Sequence, residues 1–121
     1  SKAFWFGNVK ANYAKIANFA DKSISRGFTP SQFDPRSDGT ATLAPTTANS
    51  PNAWGLVNVF GNAAEWTSTP CPRDKAQRIV RGGSFIDLPK HSTSDVRMNY
   101  AHYQPAVNVG FRIAIPAESK K

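Results

Sequence analysis

Residues 25–53, SRGFTPSQFDPRSDGTATLAPTTANSPNA, constrain this chain more than any other stretch. They are dense in Ser, Thr, Pro, Asp and Gly and follow neither a helical nor a strand period. A connection of that length inside a compact domain is either functional or held by something other than a backbone ladder. The eight Gly and nine Pro are spread along all 121 residues, which predicts many turns and short strands rather than a helical bundle. The length suits one domain, and a 12% aromatic share supplies large pieces for one core.

The flanks carry what periodicity there is. Ala-rich spacing predicts a short helix from about Val9 to Phe19, although Asn recurs at 12 and 18. WGLVNVF, residues 54–60, reads as a short apolar element. RIVRGGSFI, residues 78–86, reads as a strand with a Gly-Gly break, expected where a strand kinks or another backbone comes close. VGFRIAIP, residues 109–116, alternates Val109, Phe111, Ile113 and Ile115 with Gly110, Arg112 and Ala114. That period of two predicts a strand with one buried face, ended by Pro116. Together these elements make a loop-rich α+β domain.

Charge and cysteine content narrow the function. The net charge is +7 and the pI near 9.9, but the fifteen Lys and Arg are scattered and no nucleic-acid-binding motif is present. Nucleic-acid binding is therefore disfavoured, and an acidic partner surface is the better use of the charge. No run of eighteen apolar residues spans a membrane, and the N-terminus has no charged-then-apolar signal pattern. The chain opens on SKAFWFG, without Met, and reads as a processed or excised piece that starts inside a folded region. Cys71 is the only cysteine, so no internal disulfide forms. Its flanking prolines predict an exposed loop and a spectator thiol, with a bridge to another chain left open.

NVFGNAAEW, residues 58–66, poses the sharpest question. A carboxylate set among apolar residues needs a partner. Glu65 calls for either an Arg or a metal ion.

Five motifs in order carry a resemblance: FWFGN (4–8), ANFAD (17–21), PNAWGLVNVFGNAAEW (51–66), RIVRGGSF (78–85) and NVGFRIA (108–114). Their order and spacing resemble those of the formylglycine-generating enzyme (sulfatase-modifying factor) family. The resemblance implies an α+β, C-type lectin-like fold with little regular secondary structure. It also implies that residues 1–121 are the C-terminal half of one such domain, in an extracytoplasmic (periplasmic or secreted) protein. Another protein chain would supply the missing half.

The resemblance implies structural calcium, one ion or two. Its first ligand set maps onto Asn58, the carbonyls of Gly61 and Ala63, and Glu65. The second maps onto Asn18 and the carbonyl of Phe19, with Asp38 and the carbonyl of Thr40, which replaces the family's usual aromatic residue. Amide, carbonyl and carboxylate oxygens are the hard donors that calcium takes, about six to eight at a time. The alternatives are an Arg on Glu65 and a plain turn at Asp38-Gly39.

Catalysis is where the sequence departs. Active members carry two cysteines after Gly-Gly-Ser, which bind copper(I) and activate dioxygen to oxidise a substrate cysteine. Here Asp87 and Ser92 hold those positions after Gly82-Gly83-Ser84, and Ala64 replaces the first Trp of the usual Trp-Glu-Trp. Neither Asp nor Ser is a soft ligand, so copper is disfavoured. His91 and His102 lack metal-ligand spacing, and a Ser–His–Asp set can be drawn only on paper, from Ser92 or Ser94 with Asp87 or Asp95. Arg97, Tyr100, His102 and Tyr103 lie in a polar, aromatic stretch of the kind binding surfaces use. Arg97 and Arg112 are alternatively internal braces for Asp87 or Asp95. The expected role is a non-catalytic, calcium-stabilised structural or ligand-binding domain. Its alternatives are an oxidoreductase whose reactive residues lie outside this chain and, on fold analogy alone, a carbohydrate-binding lectin.

Overall fold

The computed structural model describes residues 3–24, 27 and 29–115. Four short strands form its one sheet: β1 (Ala64–Pro70), β2 (Gln77–Arg81), β3 (Met98–Ala101) and β4 (Val109–Gly110). Their order is β3-β2-β1-β4. β1 and β2 form an antiparallel hairpin, β3 pairs antiparallel with β2, and β4 joins the far edge parallel to β1. Three single-turn 3-10 helices, Lys22–Ile24, Pro30–Gln32 and Pro89–His91, are the remaining regular structure among the described residues. The protein is thus mostly sheet and loop.

The helix expected over Val9–Phe19 does not form. Asn side chains take the backbone instead: Asn8 Oδ1 accepts the Lys10 N–H (2.9 Å) and Asn12 Oδ1 the Ala14 N–H (3.0 Å). Such local side-chain acceptors compete with helical hydrogen bonds. Lys15 completes the break with φ of 65°. The segment still contributes to the core. Phe4, Tyr13, Ala17 and Phe19 are buried together, with Phe6 and Phe60 packed on them. Phe4 meets Phe60 edge-on at 5.0 Å and Tyr13 meets Phe19 edge-on at 5.1 Å, the offset geometry that aromatic quadrupoles favour.

WGLVNVF forms no strand, because Asn52 Oδ1 accepts the N–H groups of Trp54 and Leu56 and bends the chain into turns. The strand in RIVRGGSFI ends at Arg81, at the predicted break. Gly83 there has φ of 70°, and a Cβ on it would stand 2.0 Å from Ser92 Oγ. Only glycine allows that approach. The C-terminal strand is paired over Val109–Gly110 alone. Beyond it Phe111, Ile113 and Ile115 are 76%, 78% and 86% exposed, not buried, since no layer among the described residues covers them. Pro116 lies outside the described residues. Cys71 also differs from expectation. It is a buried free thiol, because the bond from its N–H to the Gln77 carbonyl (3.0 Å) closes the β1–β2 turn inward.

Side chains hold the long irregular segment. Arg36 donates to Asp34 Oδ1 and Oδ2 (both 2.7 Å), to the Ala11 carbonyl (2.6 Å) and to the Val9 carbonyl (2.8 Å), and lies over the Tyr13 ring. This guanidinium holds Asp34 below the usual carboxylate range. Asn62 acts as a clip. Its Oδ1 accepts the Ala44 N–H (2.7 Å) while its Nδ2 donates to the Ala44 carbonyl (3.1 Å). Main-chain bonds from the Lys22 N–H to the Arg36 carbonyl (3.0 Å) and from the Asp34 N–H to the Ala20 carbonyl (2.8 Å) also tie the segment to the core, and polar side chains on both sides add to them.

Candidate metal centre and partner surface

Asn18 lies where the first core segment passes behind residue 61. Gly61 has φ of 69°, and a Cβ on it would stand 2.2 Å from the Asn18 carbonyl oxygen. The Asn62 N–H donates to that same carbonyl (2.6 Å). The Asn18 side-chain nitrogen donates to the Thr42 carbonyl (2.7 Å) and to Asn62 Oδ1 (3.1 Å). Two acceptors there fix which amide atom is nitrogen. Asn18 Oδ1 is therefore the atom without a partner, in a residue only 1% exposed. A buried acceptor without a donor costs about 1–3 kcal/mol unless something fills it.

Asp38 completes that corner. Its Oδ2 accepts the Phe19 N–H (3.0 Å) and its Oδ1 the Thr40 N–H (2.8 Å). Asp38 thus bonds to the main chain of Phe19, nineteen residues before it, and of Thr40. Burial pushes the Asp38 carboxyl up to about 6, against the pull of the Thr40 and Phe19 amides, and the neighbouring Asp21 adds to the rise. Asp21 is fully buried, with Oδ2 on the Asp38 N–H (2.5 Å) and Oδ1 on the Ser23 N–H (2.7 Å). Its role was missed in the sequence, and its place in ANFAD was the available signal. A hard cation fits this corner: it would give Asn18 Oδ1 a partner and favour the ionised Asp38. Among the described residues no three His, Cys, Asp or Glu side chains converge.

The other ligand set is arranged differently. Asn58, Ala63 and Glu65 line one cavity of about 240 Å³, and Gly61 is not among its lining residues. Asn58 Oδ1 accepts from Asn49 Nδ2 (2.7 Å). Both Glu65 oxygens accept from Arg112: Nε at 3.0 and 3.1 Å and Nη2 at 2.6 Å. The Glu65 partner is an Arg in this arrangement. Arg112 braces Glu65 rather than Asp87 or Asp95.

The catalytic positions carry oxygen chemistry only. Ser84 Oγ donates to Asp87 Oδ2 (2.5 Å) and accepts from Asn108 Nδ2 (3.1 Å). Ser92 is fully buried, and its Oγ donates to the Leu88 carbonyl (3.1 Å). The paper triad does not assemble. His91 is exposed at the end of its 3-10 turn, and His102 Nδ1 lies 2.7 Å from the Ala76 carbonyl. Of the expected surface residues, Tyr100 packs edge-on against Trp66, and His102 edge-on against Tyr103, which is 76% exposed. Arg97 is exposed and reaches only the Asp95 main-chain carbonyl (3.4 Å). None of the four lines the cavity beside Glu65. No helix among the described residues is long and apolar enough to cross a membrane.

Comparison with known proteins follows the same motifs. Residues 1–117 match the family described as Sulfatase-modifying factor enzyme 1-like domain. The mouse protein named inactive C-alpha-formylglycine-generating enzyme 2 is 36% identical over 95 residues, covering 73% of this chain and 31% of the relative. Its bovine counterpart is 33% identical over 88 residues, covering 67% and 29%. The chain thus spans about a third of the length of these relatives. The structure of PvdO from Pseudomonas aeruginosa superposes with a TM-score of 0.64 at 25% identity, covering 90% of this chain and 42% of that one. With the ordered motifs, the shared fold and a match across nearly its whole length, the chain belongs to the sulfatase-modifying factor enzyme 1-like family.

Proposed function

We propose that this chain is a non-catalytic, C-type lectin-like domain piece with a structural or ligand-binding role, stabilised by calcium at Asn18, Phe19, Asp38 and Thr40. The observation that carries the non-catalytic reading is the chemistry after Gly82-Gly83. Asp87 is bonded to Ser84 and Ser92 is sealed beside Gly83, so no thiolate pair is offered to copper(I). The names of the mouse and bovine relatives, both inactive, agree with it. When bound, calcium would supply a fixed positive charge between two chain segments. Asn18 Oδ1 and the Asp38 carboxylate would hold it, and Asp21 would brace the Asp38 loop.

Another protein chain supplying the rest of the domain fits the exposed apolar edge at Phe111, Ile113 and Ile115 and the partial coverage of the relatives. The setting is extracytoplasmic, where modules with weak calcium sites are filled. Mass spectrometry of a cysteine-containing sulfatase peptide, incubated with the chain, copper and oxygen, tests the catalytic half. No aldehyde is expected. Conversion would overturn the non-catalytic reading and point to the oxidoreductase alternative.

A further inference from the structure

We propose that Arg112 is the built-in cation of the Glu65 cradle, so that this chain holds no calcium there. The backbone delivers it. β4 pairs parallel to β1 with Gly110 opposite Glu65, and Arg112 follows two residues on. The guanidinium then reaches back with two nitrogens on the carboxylate, and Nη2 also donates to the Val57 carbonyl (2.9 Å). A planar fork matched to a carboxylate in this way is the geometry that guanidinium provides and an ammonium does not. Three groups thus fix one side chain: a carboxylate, a main-chain carbonyl and the strand register.

The amide oxygen of the cradle also has a partner. Asn58 Oδ1 is taken by Asn49, so the amide oxygen that an ion would need already has a hydrogen-bond donor. That bond is neutral, and an ion replaces it only where the Glu65 carboxylate is free. A guanidinium and a divalent ion on one carboxylate repel each other, so the forked Arg112 contact disfavours an ion there. The contrast with the Asn18 corner is direct. The difference lies in one atom: Asn18 Oδ1 is buried without a donor, whereas Asn58 Oδ1 and the Glu65 oxygens have donors, as the Asp38 oxygens also do. The same polypeptide therefore leaves one cation position to an ion and fills the other from its own sequence. This inference rests on the proposed calcium at Asn18 only for the absolute number of ions, not for the differences between variants.

Equilibrium dialysis of the full chain against calcium tests it by counting bound ions. Wild type and Glu65→Gln should bind the same number. Arg112→Gln should gain one, because the carboxylate is freed, and adding Glu65→Gln to it should remove that gain. Arg112→Lys, which keeps a positive charge, should gain none. If wild type binds no calcium, the proposal for the Asn18 corner fails, yet the gain in Arg112→Gln still decides this one. An ion lost on Glu65→Gln alone overturns the proposal, as does an Arg112→Gln protein that is folded by circular dichroism and gains nothing. A measurement without variants guards against misfolding: the Arg112 Nε–H resonance of the wild-type chain should stay in place through a calcium titration. Movement of that resonance with calcium would also overturn it.

Discussion

Asp38→Asn separates an ion site from a turn. A ligand confined to the folded state and present at 100 times its dissociation constant adds about 2.7 kcal/mol. For a chain of 121 residues each kcal/mol moves the melting temperature by roughly 3–6 °C, so saturating calcium should raise it by roughly 8–16 °C. Asn keeps the shape of Asp38 but removes the charge a calcium ion requires. It also turns one of two oxygens, those on the Phe19 and Thr40 amides, into a second donor. That mismatch costs about 1–3 kcal/mol in the calcium-free protein. It is partly offset because burial already disfavours the charge. The decisive quantity is therefore the calcium-dependent increment, not the starting temperature. Calorimetric melts of wild type and variant, in chelator and in a calcium series, measure it, with magnesium as a control for simple charge screening. Wild type should climb and the variant should stay flat. If wild type melts alike in chelator and in saturating calcium, or if the variant climbs as far, the site at Asn18 and Asp38 does not exist.

The pH response has a definite sign. The Asp38 carboxyl, raised to about 6, binds more protons folded than unfolded between pH 4 and 6, so in chelator stability should rise as pH falls from 7 to about 4.5. Calcium should abolish that rise, and a melt that falls over this range in chelator would contradict the assignment. Asp34, held low by Arg36, contributes in the opposite direction, and its share is lost only below pH 4. Gly83→Ala places a Cβ within 2.3 Å of both Ser92 Oγ and Cβ at a left-handed φ. It should cost about 3 kcal/mol or more by denaturant titration, and a loss under about 1 kcal/mol would show that the Ser92 loop gives way easily. The edge at Phe111, Ile113 and Ile115 should drive self-association of the isolated chain, and Ile113→Lys with Ile115→Lys should restore monomer by light scattering. A wild-type chain that stays monomeric with a sharp two-state melt would show that this edge needs no cover.

The parts of the fold legible in the sequence were those with a local cause. Gly82-Gly83 marked the end of β2 because the approach to Ser92 forbids a side chain. The density of Ser, Thr, Pro, Asp and Gly over 25–53 predicted a segment that is functional or held by something other than its own ladder, and Arg36 and Asn62 are among the groups that hold it. The helix over Val9–Phe19 was misread because apolar spacing ignores Asn8 and Asn12, whose side chains compete for backbone donors within two residues. The alternation after Val109 was genuine, but burial of that face depends on a layer that no local pattern reveals. Cys71 was misplaced for the same reason, since flanking prolines say nothing of where a hairpin closure points a thiol. At the candidate site, Asn18 with Phe19 and Asp38 with Thr40 were paired through the family resemblance, not through spacing. Asp21 was overlooked because its partner lies seventeen residues away. The resemblance matched Glu65 to calcium, with an Arg as the alternative, and strand register brings Gly110, and hence Arg112, alongside it.

The Asn62 clip has a consequence for hydrogen exchange. An amide in a loop ordinarily exchanges with solvent deuterium almost as fast as in an unfolded peptide. The Ala44 N–H, though flanked by exposed Leu43 and Pro45, is buried and donates to a side chain that returns a bond to the Ala44 carbonyl. One asparagine thus imitates a strand neighbour for a single residue. Ala44 should remain protonated long after the exposed stretch around it has exchanged, and its opening should follow the core around Asn18 and Asn62 rather than the loop. The mid-loop amide becomes a reporter on the stability of the corner beneath it.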